Sequence, residues 1–458
     1  MLNKRSSGEL VVVAHGMLGY GFPEASLDAA VDAGIDLIAV DAGSTDPGPF
    51  YLGSGETFCN PQMVRRDLEL LVDAQIRSGA KMIIGSAGGA GTDTHLEQTL
   101  SILRDVIGRK KRPLKVATIS SEISKDDIRR ANAEGRISAF ETMAALTEED
   151  IGSSTHIVAQ IGVEPIIAAL KDDPDIVLCG RAWDPGNIAA LPIARGYDAG
   201  LSIHAGKILE CGAQAALPVE GSDLLLGRIR PNEFVVEPCA VHKQCTVESV
   251  AAHTLYEKTD PILLPGPGGR SDLRQARFEK ADERSVRVTG SRFERDSVYR
   301  VKLEGARFAG WRNLVIAGIR DPLMIANLQA IQTDLAARVA NFLSGRIAPK
   351  QYRIVFHRYG IDGVMRELEP VKTLPHEVGL VIDIVGETKE IAATVAGCVR
   401  SLLLHWSYPG RVATAGNLAL PFSPAEMPAG PVYEFSVYHL MELRNPGERF
   451  GYQLETIQ

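Results

Sequence analysis

Several things are scarce in this chain of 458 residues, and each absence closes a class of function. Basic residues are outnumbered, 49 Lys and Arg against 57 Asp and Glu, for a net charge of -8. A nucleic-acid partner needs a surplus of cations on one face, so that class falls away. No apolar run approaches the roughly 20 residues that a membrane span requires. The first residues, MLNKRSSGELVVVAHG, run straight into a strand pattern without a cleavable apolar core. The expectation is a cytoplasmic protein with no membrane contact. Cysteine is sparse: Cys59, Cys179, Cys211, Cys239, Cys245 and Cys398 form no C-x-x-C pair. Free thiols are the reading. There is no P-loop, no dinucleotide fingerprint, no G-x-S-x-G elbow and no H-E-x-x-H. Internal repeats and low-complexity tracts are also missing.

What is present is apolar residues at 45%, enough for a sizeable core, arranged with a clear rhythm. LVVVAHG (10–16), IDLIAVDAG (35–43), KMIIGSAG (81–88), LKVATIS (114–120) and DIVLCG (175–180) read as buried strands. Between them lie helical patterns at 24–34, 63–79, 95–108, 124–135 and 163–173, and another begins near Asn187. Apolar strands alternating with helices predict an α/β fold, a mostly parallel sheet with helices on both faces. The rhythm fades near residue 215. The stretches 286–293, 299–308 and 312–319 suggest strands, and 322–345 a helix. The remainder reads strand (352–357), strand (378–386), helix (389–406), strand (431–442). That order predicts a smaller α+β region of split-βαβ, ferredoxin-like type. The expected division is 8–232, 233–345 and 346–458. The long segment 405–431 suggests a functional or interfacial loop.

In open parallel sheets, ligands bind beyond the carboxyl ends of the strands. Those ends carry polar, glycine-rich loops: His15 with GMLGYG, DAGSTDPG, GSAGGAGTDTH, Ser120 to Glu122, and CGRAWDPGN. Asp41 and Asp46 fit either an acid/base pair or hard-metal ligands, because paired carboxylates share a proton or a cation. Capping a tight turn is the bland alternative, and Ser44 and Thr45 suit it too. The amides of Gly88 and Gly89 fit an anion at the start of a helix, or only a strand-to-helix turn. Arg181 follows a core strand, where a guanidinium needs an anionic partner: a substrate carboxylate or Asp184. LSIHAGKILECGAQAA (201–216) reads as a helix, on which His204, Lys207 and Glu210 or Cys211 share one face. Lys207 and His204 are acid/base candidates there, and a plain polar stripe is the other reading. His95 opens a helix beside the third loop. Cys239, His242, Cys245 and His253 hint weakly at zinc, with no second motif to complete it.

These stretches resemble a known family, the acyclic terpene utilisation (AtuA-like) proteins. The carriers are GMLGYGFPEASL, DAGSTDPGPFYLGSG, IGSAGGAGTDTHL, CGRAWDPGNIAALP, IHAGKILECGA, VAAHTLYEKTDP, VKLEGA and IAGIRDP, over roughly residues 10 to 420. The resemblance is to a shorter, single-gene branch. It implies catabolism of branched acyclic compounds through CoA esters. It also places Asp41, His95, Arg181, Asp184, His204 and Lys207 inside recurrent motifs. In some relatives a ferredoxin-like domain or a small companion protein accompanies the main domain, and the tail from RYGIDGV to ERFGYQ matches that part less well.

Carboxylates, His and Lys for proton transfer, with no redox motif, point to an enzyme of the hydratase or hydro-lyase class, or a double-bond isomerase. Its substrate is expected to be a small carboxylic acid or CoA ester. Asp41 is the expected base and Lys207 or His204 the acid, with His95 also in the catalytic set; Arg181 is the substrate clamp, and Ser44, Gly88, Gly89 and Asp184 complete the binding set. One alternative is a Mg-dependent lyase with Asp41, Asp46 and Asp184 on the ion. Another is a non-catalytic subunit that binds a ligand or companion protein. A homo-oligomer is expected on general grounds.

Overall fold

The computed structural model describes residue 2 and residues 6–458. Residues 1 and 3–5, part of the lead-in to the first strand, lie outside the described residues. The chain divides into two units, Met1–Arg307 with Phe435–Gln458, and Phe308–Glu434.

The first unit is built on a ten-stranded sheet. Its centre is parallel, in the order Leu10–His15, Leu37–Asp41, Lys81–Gly85, Ile176–Cys179, Leu114–Ile119. Alternate residues supply the two faces, as the two-residue period of a strand requires. Val12, Leu37 and Ile83 face the helices Asp184–Ala194 and Ala199–Leu209. Val11, Val13, Ile38 and Ile84 face Pro61–Ser78 and Asp93–Gly108. Burial on both faces explains why these strands are apolar throughout. Ser124 caps the helix Lys125–Ala133, its hydroxyl accepting from the Asp127 N–H at 3.1 Å.

The sheet does not stop where the parallel rhythm fades. Leu225–Ile229 and Phe234–Pro238 form an antiparallel hairpin on the first strand, and Val286–Thr289 and Arg277–Lys280 extend it. At the other edge Tyr452–Ile457 pairs antiparallel with Leu114–Ile119. The expected break at 232 is therefore replaced by a mixed sheet. Its antiparallel flanks cover edges that a bare parallel core would expose. The expected stretch 286–293 separates at Gly290 (φ 80°) into Val286–Thr289 and Arg292–Arg295, which lie in different sheets. The two expected strands between 299 and 319 are one, Tyr299–Ile319. The boundary between units falls within it and within Glu426–Leu443, so the expected divisions at 345 and 346 are not where the chain separates.

The second unit packs helices Pro322–Phe342 and Lys389–Leu404 on a sheet that includes Tyr352–Tyr359 and Val378–Gly386. Val315, Leu328, Leu335, Leu380, Ile382, Val395 and Val399 form its core. In the long loop after the second helix, Trp406, Tyr408 and Leu418 turn into that core, while Val412 and Phe422 face out.

Candidate functional site

All the residues of the site lie in the first unit. The loops after the parallel strands surround a cavity of about 440 Å³, lined by Met17, Tyr20, Asp41, Ser44, Asp46, Asp184, Glu210, Cys211, Tyr256 and Glu257 among others. This is the carboxyl end of the sheet, where the strand-end rule places a ligand. Asp41 is the last residue of its strand, and its neighbour in register is Gly85. Gly43 (φ 134°) turns the chain away so closely that an added Cβ would lie 2.7 Å from the Cα of Gly89. The Gly43 N–H donates to Asp41 Oδ1 at 3.1 Å.

Among the carboxyl groups that line this space, Asp41, Asp184 and Glu210 act on one another. Removal from bulk water holds the Asp41 carboxyl well above the usual carboxylate range, and the charge of Asp184 adds to that. Glu210 sits at the end of the helix Ala199–Leu209, with Lys207 one turn back. Burial pushes Glu210 up to about 7, against the pull of the Lys207 ammonium that donates to its Oε1. Burial opposes the charge on Lys207, but Glu210 outweighs it and keeps the amine above its ordinary value. Oε2 of Glu210 is buried without a hydrogen-bond partner, as are both amide atoms of Asn187. A carboxyl raised to about 7 beside one that burial also raises well above its ordinary range is the arrangement from which acid and base roles separate.

Arg181 is buried and, of its two expected partners, takes Asp184, with Glu304 as a further one. Its Nε donates to Glu304 Oε2 at 2.9 Å, and its Nη1 to Asp184 Oδ1 and Ser86 Oγ, each at 3.1 Å, and to the Ala182 carbonyl at 2.7 Å. Lys302 Nζ lies 2.7 Å from the other oxygen of Glu304. The guanidinium therefore orients Asp184 from behind rather than reaching into the cavity. Glu304 and Lys302 were not singled out from the sequence, although an acid in the middle of the strand-like VKLEGA was a signal.

Two of the expected acid/base residues are engaged elsewhere. His204 is fully buried; its Nδ1 lies 2.6 Å from Ser291 Oγ and its Nε2 3.1 Å from Thr254 Oγ1. Thr254 Oγ1 donates to the Val250 carbonyl, so Nε2–H is the donor in that pair and the Ser291 hydroxyl donates to Nδ1. Burial pushes this imidazole down to about 3, a neutral ring locked in the core. His95 belongs to a helix cap, with Nδ1 3.1 Å from Thr92 Oγ1 and Nε2 2.8 Å from the Glu56 carbonyl. Burial lowers it too. Neither lines the cavity with Asp41.

Ser44 Oγ donates to Asp46 Oδ2 at 2.7 Å and accepts from the Asp46 N–H, forming a turn on the cavity rim. Gly88 and Gly89 both have positive φ, and a Cβ at Gly89 would meet Phe58. The Gly89 N–H is taken by the Ser86 carbonyl at 2.9 Å. Close packing accounts for this pair, and Gly88 borders a different, larger cavity of about 1210 Å³ with Leu18, Phe58, Val64 and Ile102. Among the described residues no three of His, Cys, Asp and Glu gather to hold a metal ion. Asp41, Asp46 and Asp184 line one cavity without forming such a set. Cys239 and Cys245 are buried and His242 is exposed, so that motif does not assemble either. No helix among the described residues is long and apolar enough to cross a membrane.

The family model described as "acyclic terpene utilisation family protein AtuA" matches residues 59–218 and 233–424. No curated protein and no solved structure matches the chain.

Proposed function

From the premise that this chain belongs to the acyclic terpene utilisation family AtuA, we propose an enzyme that adds or removes water, or shifts a double bond, beside a carbonyl group. The observation that supports it is the meeting of Asp41, Asp184 and Glu210 at one cavity, with Lys207 bonded to Glu210. Glu210 takes and returns the proton, because its affinity for protons lies near neutral pH. Asp41, its carboxyl raised well above the ordinary range by burial, supplies the proton to a departing hydroxyl. Lys207 steadies the charge that forms on Glu210, and Arg181 fixes Asp184.

The substrate was expected to carry a carboxylate held by Arg181. With that guanidinium engaged internally, the reading rests on the carbonyl: a thioester, aldehyde or ketone on a branched carbon chain. Cytoplasmic location, a homo-oligomer and a small companion protein belong to the same proposal. So does a split-βαβ identity for the second unit, which the order strand, helix, strand, strand, helix, strand supports.

The test is turnover of branched 3-hydroxyacyl-CoA esters, aldehydes and ketones, followed by the ultraviolet absorbance of the conjugated product. Glu210→Gln should lower turnover by about 10²–10⁴-fold, the usual worth of a positioned acid/base group. Full turnover in both Glu210→Gln and Asp41→Asn would remove the proposal.

A further inference from the structure

We propose that the larger cavity, of about 1210 Å³, is the site for the aliphatic tail of the substrate, which passes Phe58 from a carbonyl group held at Asp41 and Glu210. The assignment rests on the smaller cavity being the active site, and adds to it a preference for long acyclic chains.

The two cavities are built from the same segments of chain. After the first strand, Met17 and Tyr20 line the smaller and Leu18 the larger. At the end of the second strand, Asp41 and Ser44 line the smaller and Ala42 the larger. Phe58 lines both. Its place is set from three sides. The Phe58 N–H donates to the Gly88 carbonyl at 3.0 Å. Its Cβ lies where a side chain on Gly89 would otherwise stand, 2.8 Å from the position of an added Cβ. Its ring meets Tyr51 edge-on, with centroids 5.1 Å apart. The phenyl ring is therefore a wall that the two spaces share.

The other walls divide the chemistry. Asp41, Asp46, Asp184, Glu210 and Glu257 line the smaller cavity. A methylene packed there strips water from carboxyl groups, which costs free energy. Leu18, Ala42 and Val64, all buried, line the larger, together with the half-buried Ile102. Burial pushes the Cys59 thiol beside them up to about 11, so it stays neutral and weakly polar. Thr94 and Gln98, one turn apart on the helix Asp93–Gly108, are exposed and form part of a polar rim. Apolar walls with a few polar groups at the edge are the make-up of a site for an apolar ligand. A carbonyl compound with a long chain is the ligand that matches both spaces at once. Each methylene taken from water onto such a wall raises affinity about fourfold.

The experiment uses the full chain with methyl ketones from pentan-2-one to decan-2-one as probes, their binding followed by ligand-observed NMR titration. The expected result is an affinity that climbs about fourfold with each methylene once the chain passes Phe58. Gln98→Trp and Ile102→Trp, which fill the larger cavity, should flatten that climb and leave pentan-2-one binding unchanged, with circular dichroism showing both variants folded. A decan-2-one carrying a diazirine near its far end, photolysed when bound, should label residues 58–64 or the helix Asp93–Gly108, as located by peptide mass spectrometry. Affinity that does not vary with chain length, a climb that both tryptophan variants keep, or labelling outside those two segments overturns the proposal. Glu210→Gln separates it from the acid/base reading. That variant should lose turnover of the hydroxyacyl esters and keep the chain-length dependence of ketone binding. Flat ketone binding with turnover that depends on Glu210 removes the tail site and leaves the acid/base reading standing. Failure of the acid/base reading shows instead as full turnover in Glu210→Gln and Asp41→Asn.

Discussion

Replacing Glu304 by Gln tests the buried ion pairs that tie Arg181 to Asp184. Arg181 is 1% exposed and Glu304 0%, so neither charge is relieved by solvent. In Glu304→Gln the volume stays and the charge goes, leaving Arg181 with Asp184 alone and Lys302 with no carboxylate at that position. Breaking a buried pair by removing one partner typically destabilises by about 3–5 kcal/mol. The proton affinity of Glu304 gives an independent figure. Burial would raise it, but Arg181 and Lys302 hold the carboxyl down from 4.5 to about 2. At about 1.36 kcal/mol per pH unit, that drop contributes about 3 kcal/mol at neutral pH. Because the folded value is depressed, the contribution is complete above pH 4.5 and is lost as pH falls towards about 2. Urea unfolding of wild type and variant at pH 7 and at successively lower pH measures it. The gap should be about 3 kcal/mol at pH 7 and should shrink below pH 4.5. An unchanged midpoint at pH 7, or a gap that does not vary with pH, would refute the reasoning. It would also reopen Arg181 as a group available to a ligand.

Other outcomes follow from the same geometry. His204 takes up a proton more readily unfolded than folded, so stability should fall as pH drops below 6.5 and continue falling towards about 3; His204→Gln should flatten part of that slope in a pH series of thermal melts. Gly43→Ala combines a positive φ with a 2.7 Å approach to Gly89, and should lower stability by about 1–3 kcal/mol in urea while narrowing the cavity. Arg181→Lys keeps a charge but loses the fork that spans Glu304 and Asp184, so it should destabilise while leaving any carbonyl substrate's KM within a few-fold.

The parallel core was legible because each strand is a short apolar run and each helix has a cap or a stripe. Asp41 and Asp184 followed, since strand ends are where such a sheet places its polar loops. Glu304 was not, because it lies 123 residues from Arg181 and only the fold brings them together. His204 misled for a related reason. Its helical face looked polar, and nothing local could reveal that Ser291 and Thr254, 87 and 50 residues away, would close over the ring. Lys207 and Glu210 were visible as a pair one turn apart, but their burial was not, because it involves distant residues such as Tyr256, whose ring lies 5.5 Å from the Lys207 ammonium. The hairpin Leu225–Ile229 and Phe234–Pro238 escaped notice as part of the main sheet, since antiparallel and parallel edges carry no distinct local mark.

The strand Tyr452–Ile457 has a consequence for synthesis. Its last pairing, Ile457 with Leu114, joins residues 343 apart in the chain. At about 5–20 residues per second, the ribosome needs on the order of 20–70 s to deliver one after the other. Through that interval Leu114–Ile119 has no neighbour on one side, and an open edge is a template for pairing with another nascent chain. Arg104, whose guanidinium meets Glu455 at 3.0 Å, also waits for its partner. The emerging first unit is thus exposed along one border for most of its synthesis, a window in which a chaperone has something definite to cover.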